Sequence, residues 1–163
     1  MISGGFTYLG LKFKSSSENK RFMLENKAKI LEEVASEIHD YLIAWRYYIS
    51  IVSGIARRKM MNGEDGSDFT KEQLKPIAER NDALVESWPK RESAISKLIL
   101  LKGNKVAEIV LQCNELEAEL RNQIIFDGKT PLYEDVKDYA KRVKEHVALV
   151  NSELSDFYAT LET

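Results

Sequence analysis

Residues 18–60 read ENKRFMLENKAKILEEVASEIHDYLIAWRYYISIVSGIARRKM, and this stretch decides the fold class. Apolar residues recur in it at alternating steps of four and three, from Leu24 to Ala56. This is the a/d spacing of a helix that packs against other helices. A second apolar series repeats every seven residues and widens the stripe: Val34, Tyr41, Tyr48 and Ile55. A helix of roughly 60 Å, at 1.5 Å per residue, needs other helices to cover such a stripe.

Three further stretches repeat this pattern after turn signals, so the sequence predicts four helices. Their expected bounds are residues 17–60, 71–102, 105–126 and 131–161. Because the connections are short, we expect antiparallel neighbours in an all-α, elongated up-down-up-down four-helix bundle with coiled-coil-like packing. The second helix should be kinked at Pro89, which removes a backbone hydrogen bond. Residues 1–163 then form one domain, and an extended coiled-coil hairpin that dimerises is the alternative.

Local signals predict where three of these helices begin. Thr70–Gln73 has the spacing of a capping box, in which each side chain accepts from the other residue's backbone N–H. Asn104 is placed to cap the third helix. Thr130 can cap the fourth, with Pro131 at its first position, where no N–H is needed.

The composition excludes some classes of function. The 163 residues are 44% hydrophobic and 31% charged, with a formal net charge of −2. This balance gives no overall attraction to nucleic acid, so we expect no nucleic-acid partner. The single cysteine, Cys113, falls on the third apolar stripe, where we expect a small buried residue rather than a reactive thiol. One cysteine cannot form an intramolecular disulfide, which fits a cytoplasmic location.

Residues 1–14, MISGGFTYLGLKFK, form an apolar N-terminal arm with no charge before Lys12. One interpretation is an extended arm that packs Phe6 and Phe13 on the bundle, before a capping box at Ser15–Glu18 opens the first helix. The other interpretation is the trailing end of a membrane anchor, with the following basic residues at the inner face of the membrane. The chain would then be the cytoplasmic domain of a membrane-anchored protein.

Four-helix bundles often house metal ions, but the expected ligands are missing here. A di-iron site takes a glutamate from each of two helices and Glu-x-x-His from the other two. Neither His39 nor His146 has a carboxylate three or four residues away. The loop NGEDGSD over 62–68 fails the calcium-loop pattern, because Met61 and Gly63 would fall at ligand positions and neither has a side-chain oxygen. We therefore expect no metal and no cofactor.

Candidate interaction residues lie in the second half of the first helix. Arg46 and Tyr47 point away from the centre of its stripe, and Tyr and Arg are enriched at binding hot spots. Arg57, Arg58 and Lys59 could contact an acidic partner or phospholipid headgroups, although cations in a last turn also complement the helix dipole. We expect these five residues to contribute to an interaction surface.

Asn81 occupies a stripe position between Ile77 and Leu84, where a polar residue can fix helix register and oligomeric state. The third helix is short, so part of the long first helix lacks an intramolecular partner. The sequence therefore favours a non-enzymatic interaction or structural module that binds a protein partner, namely itself. An enzyme whose site assembles from dispersed residues is the remaining alternative.

Overall fold

The computed structural model describes residues 5–161, with side chains for residues 17–160. Within that part of the chain, all regular secondary structure is helical. The elements are α1 (Gly5–Met61), α2 (Lys71–Leu100), α3 (Asn104–Arg121), a π-helical turn (Asn122–Phe126) and α4 (Tyr133–Leu161). The prediction of an all-α fold with four helices is confirmed.

The start of α1 differs from the prediction. The helix begins at Gly5, so residues 5–14 are helical rather than extended, and the capping box predicted at Ser15–Glu18 lies inside the helix. Extending a helix adds one hydrogen bond per residue, whereas nucleating a new one is costly, which favours one continuous helix. Residues 1–4 and the predicted packing of the arm's side chains lie outside the described residues.

The capping box that opens α2 is confirmed. The Gln73 N–H donates to Thr70 Oγ1 at 3.3 Å, and the Thr70 N–H donates to Gln73 Oε1 at 3.0 Å. The helix then runs through Pro89 without a break and ends at Leu100, two residues earlier than expected. Lys102 reverses the chain there with a φ of 65°.

Two predicted N-caps are wrong. Asn104 is the first residue of α3 rather than its cap, and the preceding glycine has no side chain to accept a hydrogen bond. Helix α4 begins at Tyr133, so neither Thr130 nor Pro131 opens it. The Tyr133 N–H instead donates to Oδ1 of Asp65 at 3.0 Å. A carboxylate from the α1–α2 loop therefore supplies the acceptor that the predicted threonine was expected to provide.

The four helices share one apolar core. Helix α1 packs against α2 and α4, and α3 packs against the same two helices. The four-three stripe of α1 is buried or half-buried from Leu31 to Ala56. A fully buried Val, Leu or Ile side chain contributes about 1.5–3 kcal/mol to folding. The stretch that predicted the fold class therefore also organises the core.

Candidate functional site

A carboxylate lies in the core, held by α3 among aromatic rings. Glu117 is 1% exposed, and both of its oxygens accept hydrogen bonds from other helices. Oε2 accepts from the Tyr41 hydroxyl at 3.0 Å and from Arg91 Nη1 at 3.2 Å. Oε1 accepts from Trp88 Nε1 at 3.3 Å and lies 3.5 Å from Arg121 Nε. We call these five residues the Glu117 network.

Arg91 is the best-connected member of the network. Its Nη1 also donates to Asn114 Oδ1 at 2.6 Å, and its Nε and Nη2 donate to Glu92 Oε1. The guanidinium carbon lies 5.2 Å from the Tyr41 ring centroid and 5.5 Å from that of Trp88. Such cation–π contacts stabilise a cation that burial has stripped of water. Arg91 therefore links α1, α2 and α3.

Arg121 closes the outer side of the network. Its guanidinium carbon lies 4.8 Å from the Trp88 ring and 5.4 Å from the Phe126 ring. Phe126 is at the end of the π-helical turn that follows Arg121 directly, where the Asp127 N–H donates to the Asn122 carbonyl at 3.0 Å. Because a π-helical turn is wider than an α-helical one, the Phe126 ring comes to lie against the Arg121 guanidinium.

Burial and charge act on Glu117 in opposite directions. The pKa of the carboxyl is raised overall, because desolvation outweighs the Tyr41 hydroxyl and the two arginines, which lower the pKa by stabilising the charged form. Removing one partner of a buried ion pair costs several kcal/mol, because the remaining charge is then uncompensated. Because the carboxylate is closed from solvent, the geometry supports a role in fixing how the helices pack.

A second polar contact in the core links α1, α3 and α4. Trp45 Nε1 donates to the Tyr139 hydroxyl at 3.3 Å, and that hydroxyl donates to the Leu116 carbonyl at 2.6 Å. Tyr41 stacks on Trp45, with ring centroids 6.2 Å apart. The Tyr48 hydroxyl is buried with no hydrogen-bond partner among the described residues. Tyr41, Trp45 and Tyr48 are therefore core residues, and the polar groups of the first two are hydrogen-bonded.

Arg46 and Tyr47, which were predicted to be interaction residues, lie on two separate surfaces. Arg46 lies with Lys144 at the rim of a half-open cavity of about 510 Å³ between α1 and α4. Tyr47 is 56% exposed and lines a groove of about 400 Å³ between α1 and α2. The guanidinium carbon of Arg80 lies 5.4 Å from its ring centroid. The structure therefore does not bring Arg46 and Tyr47 together.

The cations at the end of α1 have different roles. Arg57 and Arg58 are exposed, and their part in an interaction surface stays a prediction. Lys59 is 3% exposed, so its place in that surface is corrected. Its Nζ donates to the Asp68 carbonyl at 3.0 Å and lies 5.9 Å from the Phe69 ring centroid. The Lys59 side chain therefore turns toward the loop between α1 and α2, where its hydrogen bond to the Asp68 carbonyl stabilises the loop.

The remaining sequence candidates make few contacts. Asn81 is half-buried, and its Oδ1 has no hydrogen-bond partner among the described residues, so its role in register stays a prediction. His39 is exposed, while His146 Nδ1 lies 2.9 Å from the Arg142 carbonyl. Cys113 is buried, and burial raises the pKa of its thiol to about 12. Within the described residues, no three His, Cys, Asp or Glu side chains are grouped to hold a metal ion.

The first described turns of α1 form a different kind of surface. Every side chain from residue 17 to residue 26 is exposed, including Phe22 at 63%, Met23 and Leu24. We call residues 17–29 the α1 extension. Exposed apolar side chains clustered in this way mark interaction sites on soluble proteins. Over residues 5–161, no helix has both the length and the apolar character needed to cross a membrane.

A groove of about 330 Å³ lies between α1 and α4, next to the α1 extension. Leu31 and Ala35 line it from α1, and Leu154, Ser155 and Tyr158 from α4. Leu154 is half-buried against the core, and Tyr158 is exposed. We call this the end groove, and it offers an apolar surface to a further helix.

No protein-family model matches the sequence, and no curated protein or solved structure is detectably similar to it. A function can therefore be argued only from the arrangement of the chain's own residues.

Sequence reasoning missed the Glu117 network, although the sequence carries a signal for it. Arg91 stands seven residues after Leu84 and seven before Leu98, and both of those leucines are buried. Glu117 stands in the same relation to Val110 and Ile124. One cation and one anion therefore occupy core positions of neighbouring helices, which indicates a buried pair.

Proposed function

We propose that this protein is a non-enzymatic helical-bundle module that associates with a second copy of itself. The observation that carries the proposal is the α1 extension, where the three consecutive apolar residues Phe22, Met23 and Leu24 are all exposed, on a helix that continues into the core. A monomer rarely keeps such residues exposed together unless they bind something.

The proposal includes an up-down-up-down arrangement, which the contacts support. Between α1 and α2, Glu37 pairs with Lys97 at 2.8 Å and Asp40 with Lys90 at 2.6 Å. Residue numbers therefore rise along α1 as they fall along α2, as in an antiparallel pair. Between α3 and α4, Lys105 pairs with Glu153 at 2.7 Å and Glu119 with Arg142 at 2.8 Å. Coiled-coil-like packing and a bend at Pro89 complete the proposed architecture.

The Glu117 network supports a binding module over an enzyme. A catalytic acid or base must reach a substrate, and Glu117 is closed from solvent by Trp88, Arg91 and Arg121. Its partners fix the packing of three helices instead. A rigid bundle of this kind is a suitable support for a surface that binds another protein.

Self-association is tested by light scattering and sedimentation over about 1 to 100 µM, a range in which moderate homodimers dissociate. We expect a mass near twice the 18.7 kDa of the chain at the upper concentrations. Leu24→Ser should shift the equilibrium toward the monomer. Leu111→Ser is the matched control, because Leu111 is equally exposed, at 46% against 47%, but lies on α3. A native chain that stays monomeric at 100 µM would overturn the proposal.

A second candidate is the cytoplasmic domain of a membrane-anchored protein, held at the inner face of the membrane. Lys20 and Arg21 stand directly before the exposed Phe22 and Met23, a combination that suits an anionic lipid surface. We expect the native chain to sediment with vesicles that contain phosphatidylserine, and Phe22→Ser with Met23→Ser to reduce this. Absence of sedimentation with anionic vesicles at low salt would refute this candidate.

A further inference from the structure

We infer that the two copies exchange their α1 extensions, each lying antiparallel in the end groove of the other. This inference rests on the self-association proposed above and names the surface through which it occurs. Each copy offers one extension and one groove, so a two-fold axis satisfies both at once.

The α1 extension and the end groove are both uncovered apolar surfaces, and they adjoin. The extension presents Phe22 and Leu24, while the groove presents the half-buried Leu154 and the exposed Tyr158 beside the buried Leu31. An intramolecular fit is excluded, because the extension and Leu31 belong to one continuous helix and the extension cannot fold back onto it. A second copy can bring an extension to the groove without any change in the fold.

Charge complementarity favours a second copy as the occupant of the end groove, with its α1 antiparallel to the α1 that lines the groove. The α1 extension, residues 17–29, contains four cations and two carboxylates. The next segment, residues 30–40, contains four carboxylates and no Lys or Arg. Two α1 helices side by side in parallel would place the basic blocks together, whereas an antiparallel pair places each basic block on an acidic one. Complementary potentials of this kind select the partner and its orientation.

Three of the four cations of the extension, and one of the four carboxylates of residues 30–40, have no ion-pair partner among the described residues. On the extension, Lys20, Lys27 and Lys29 form no ion pair with any described residue. The ion pairs of the described chain that involve residues 17–40 are Arg21–Glu25, Lys90–Asp40, Lys97–Glu33 and Lys97–Glu37. Glu32, on the wall of the end groove, is therefore the acidic residue of residues 30–40 that remains unpaired. The unpaired cations and the unpaired carboxylate lie on the two surfaces that we propose to join.

Charge reversal in two separate variants tests the exchange. The extension variant carries Lys20→Glu and Lys27→Glu, and the groove variant carries Glu32→Lys and Ser155→Lys. Each variant alone should raise the dimer dissociation constant at least about tenfold, because like charges then meet at both contacts. An equimolar mixture should restore dimerisation, since a heterodimer matches the charges at both of its contacts. The mass of the mixture and of each variant is measured by sedimentation.

Controls separate this inference from the proposed function. Lys71→Glu with Lys75→Glu makes the same change in net charge as the extension variant, on exposed positions of α2, and should leave the dimer intact. Native dimers that weaken between about 0.05 M and about 0.5 M NaCl would agree with screened charge pairing. If both variants remain dimeric, or the mixture stays monomeric, the exchange is wrong while self-association stands. A native chain that is monomeric overturns both, and vesicle binding by that monomer would assign the extension to a membrane.

Discussion

Arg91 of α2 and Glu117 of α3 form an ion pair across the core, with Nη1 and Oε2 3.2 Å apart and the side chains 7% and 1% exposed. Charges of this kind are tolerated in a core because hydrogen bonds replace the lost water. The Tyr41 hydroxyl and the Trp88 indole N–H supply those bonds to the carboxylate. The pair therefore ties the packing of α2 and α3 to two aromatic side chains.

Removing the carboxylate should be strongly destabilising. We expect Glu117→Ala to lower the free energy of unfolding by about 3–5 kcal/mol, because it removes the buried partner of Arg91 and leaves the exposed Glu92 as the carboxylate that pairs with it. Glu119→Ala is the control, since its partner Arg142 is exposed and such a pair contributes at most about 1 kcal/mol. Urea denaturation followed by circular dichroism measures both. Equal losses in the two variants would contradict the prediction.

Replacing both partners separates the charge from the packing. Glu117→Leu with Arg91→Leu should cost clearly less than the sum of the single substitutions, because neither member of the pair is then left in the core without the other. The same denaturation experiment gives the four free energies of the double-mutant cycle. Additive costs would mean that the ion pair does not couple α2 and α3.

Two tyrosines of the core should respond differently to loss of the hydroxyl. Tyr139→Phe removes a donor to the Leu116 carbonyl and an acceptor for Trp45 Nε1, so we expect a loss of about 1–3 kcal/mol. Tyr48→Phe should be neutral or stabilising, because the Tyr48 hydroxyl is buried without a partner among the described residues. Thermal unfolding of the two variants in parallel makes the comparison. A reversed order would show that the hydrogen-bond assignment is wrong.

Two glycines should also differ when an alanine replaces them. A Cβ at Gly103 would lie 2.9 Å from Phe157 Cε1 and 3.1 Å from Leu98 Cδ2, so Gly103→Ala should destabilise by about 1–3 kcal/mol. A Cβ at Gly54, within α1, would have nothing within 4 Å. Gly54→Ala should therefore stabilise the helix by about 0.5–1 kcal/mol. Chemical denaturation tests both, and a tolerated Gly103→Ala would indicate that the Phe157 ring can move aside.

The Cys113 thiol should be inert in the folded protein. Burial raises its pKa to about 12, so at pH 8 the thiol stays protonated and the reactive thiolate is scarce. We expect labelling by a disulfide reagent to be slow in native buffer, to become rapid in denaturant, and to remain slow as the pH rises toward 10. Rapid native labelling would show that α3 opens locally around Cys113.

The fold class and the buried face of α1 follow from the pattern of apolar residues alone. The four-three repeat of residues 18–60 is enough for this, because helical periodicity places every third or fourth side chain on one face whatever covers it. The capping box at Thr70 and Gln73 could likewise be predicted from the sequence, since both partners lie within one helical turn. Arg91 and Glu117 could have been read as core positions from their seven-residue spacing.

Contacts between side chains of different helices could not be predicted from the sequence. Asp65 and Tyr133 are 68 residues apart, and the Tyr41 hydroxyl and Glu117 are 76 apart. The burial of Lys59 depends on a loop carbonyl that no periodicity indicates. A repeat along one helix records its own buried face, whereas a hydrogen bond between helices depends on their relative position, which the packing of the whole core sets.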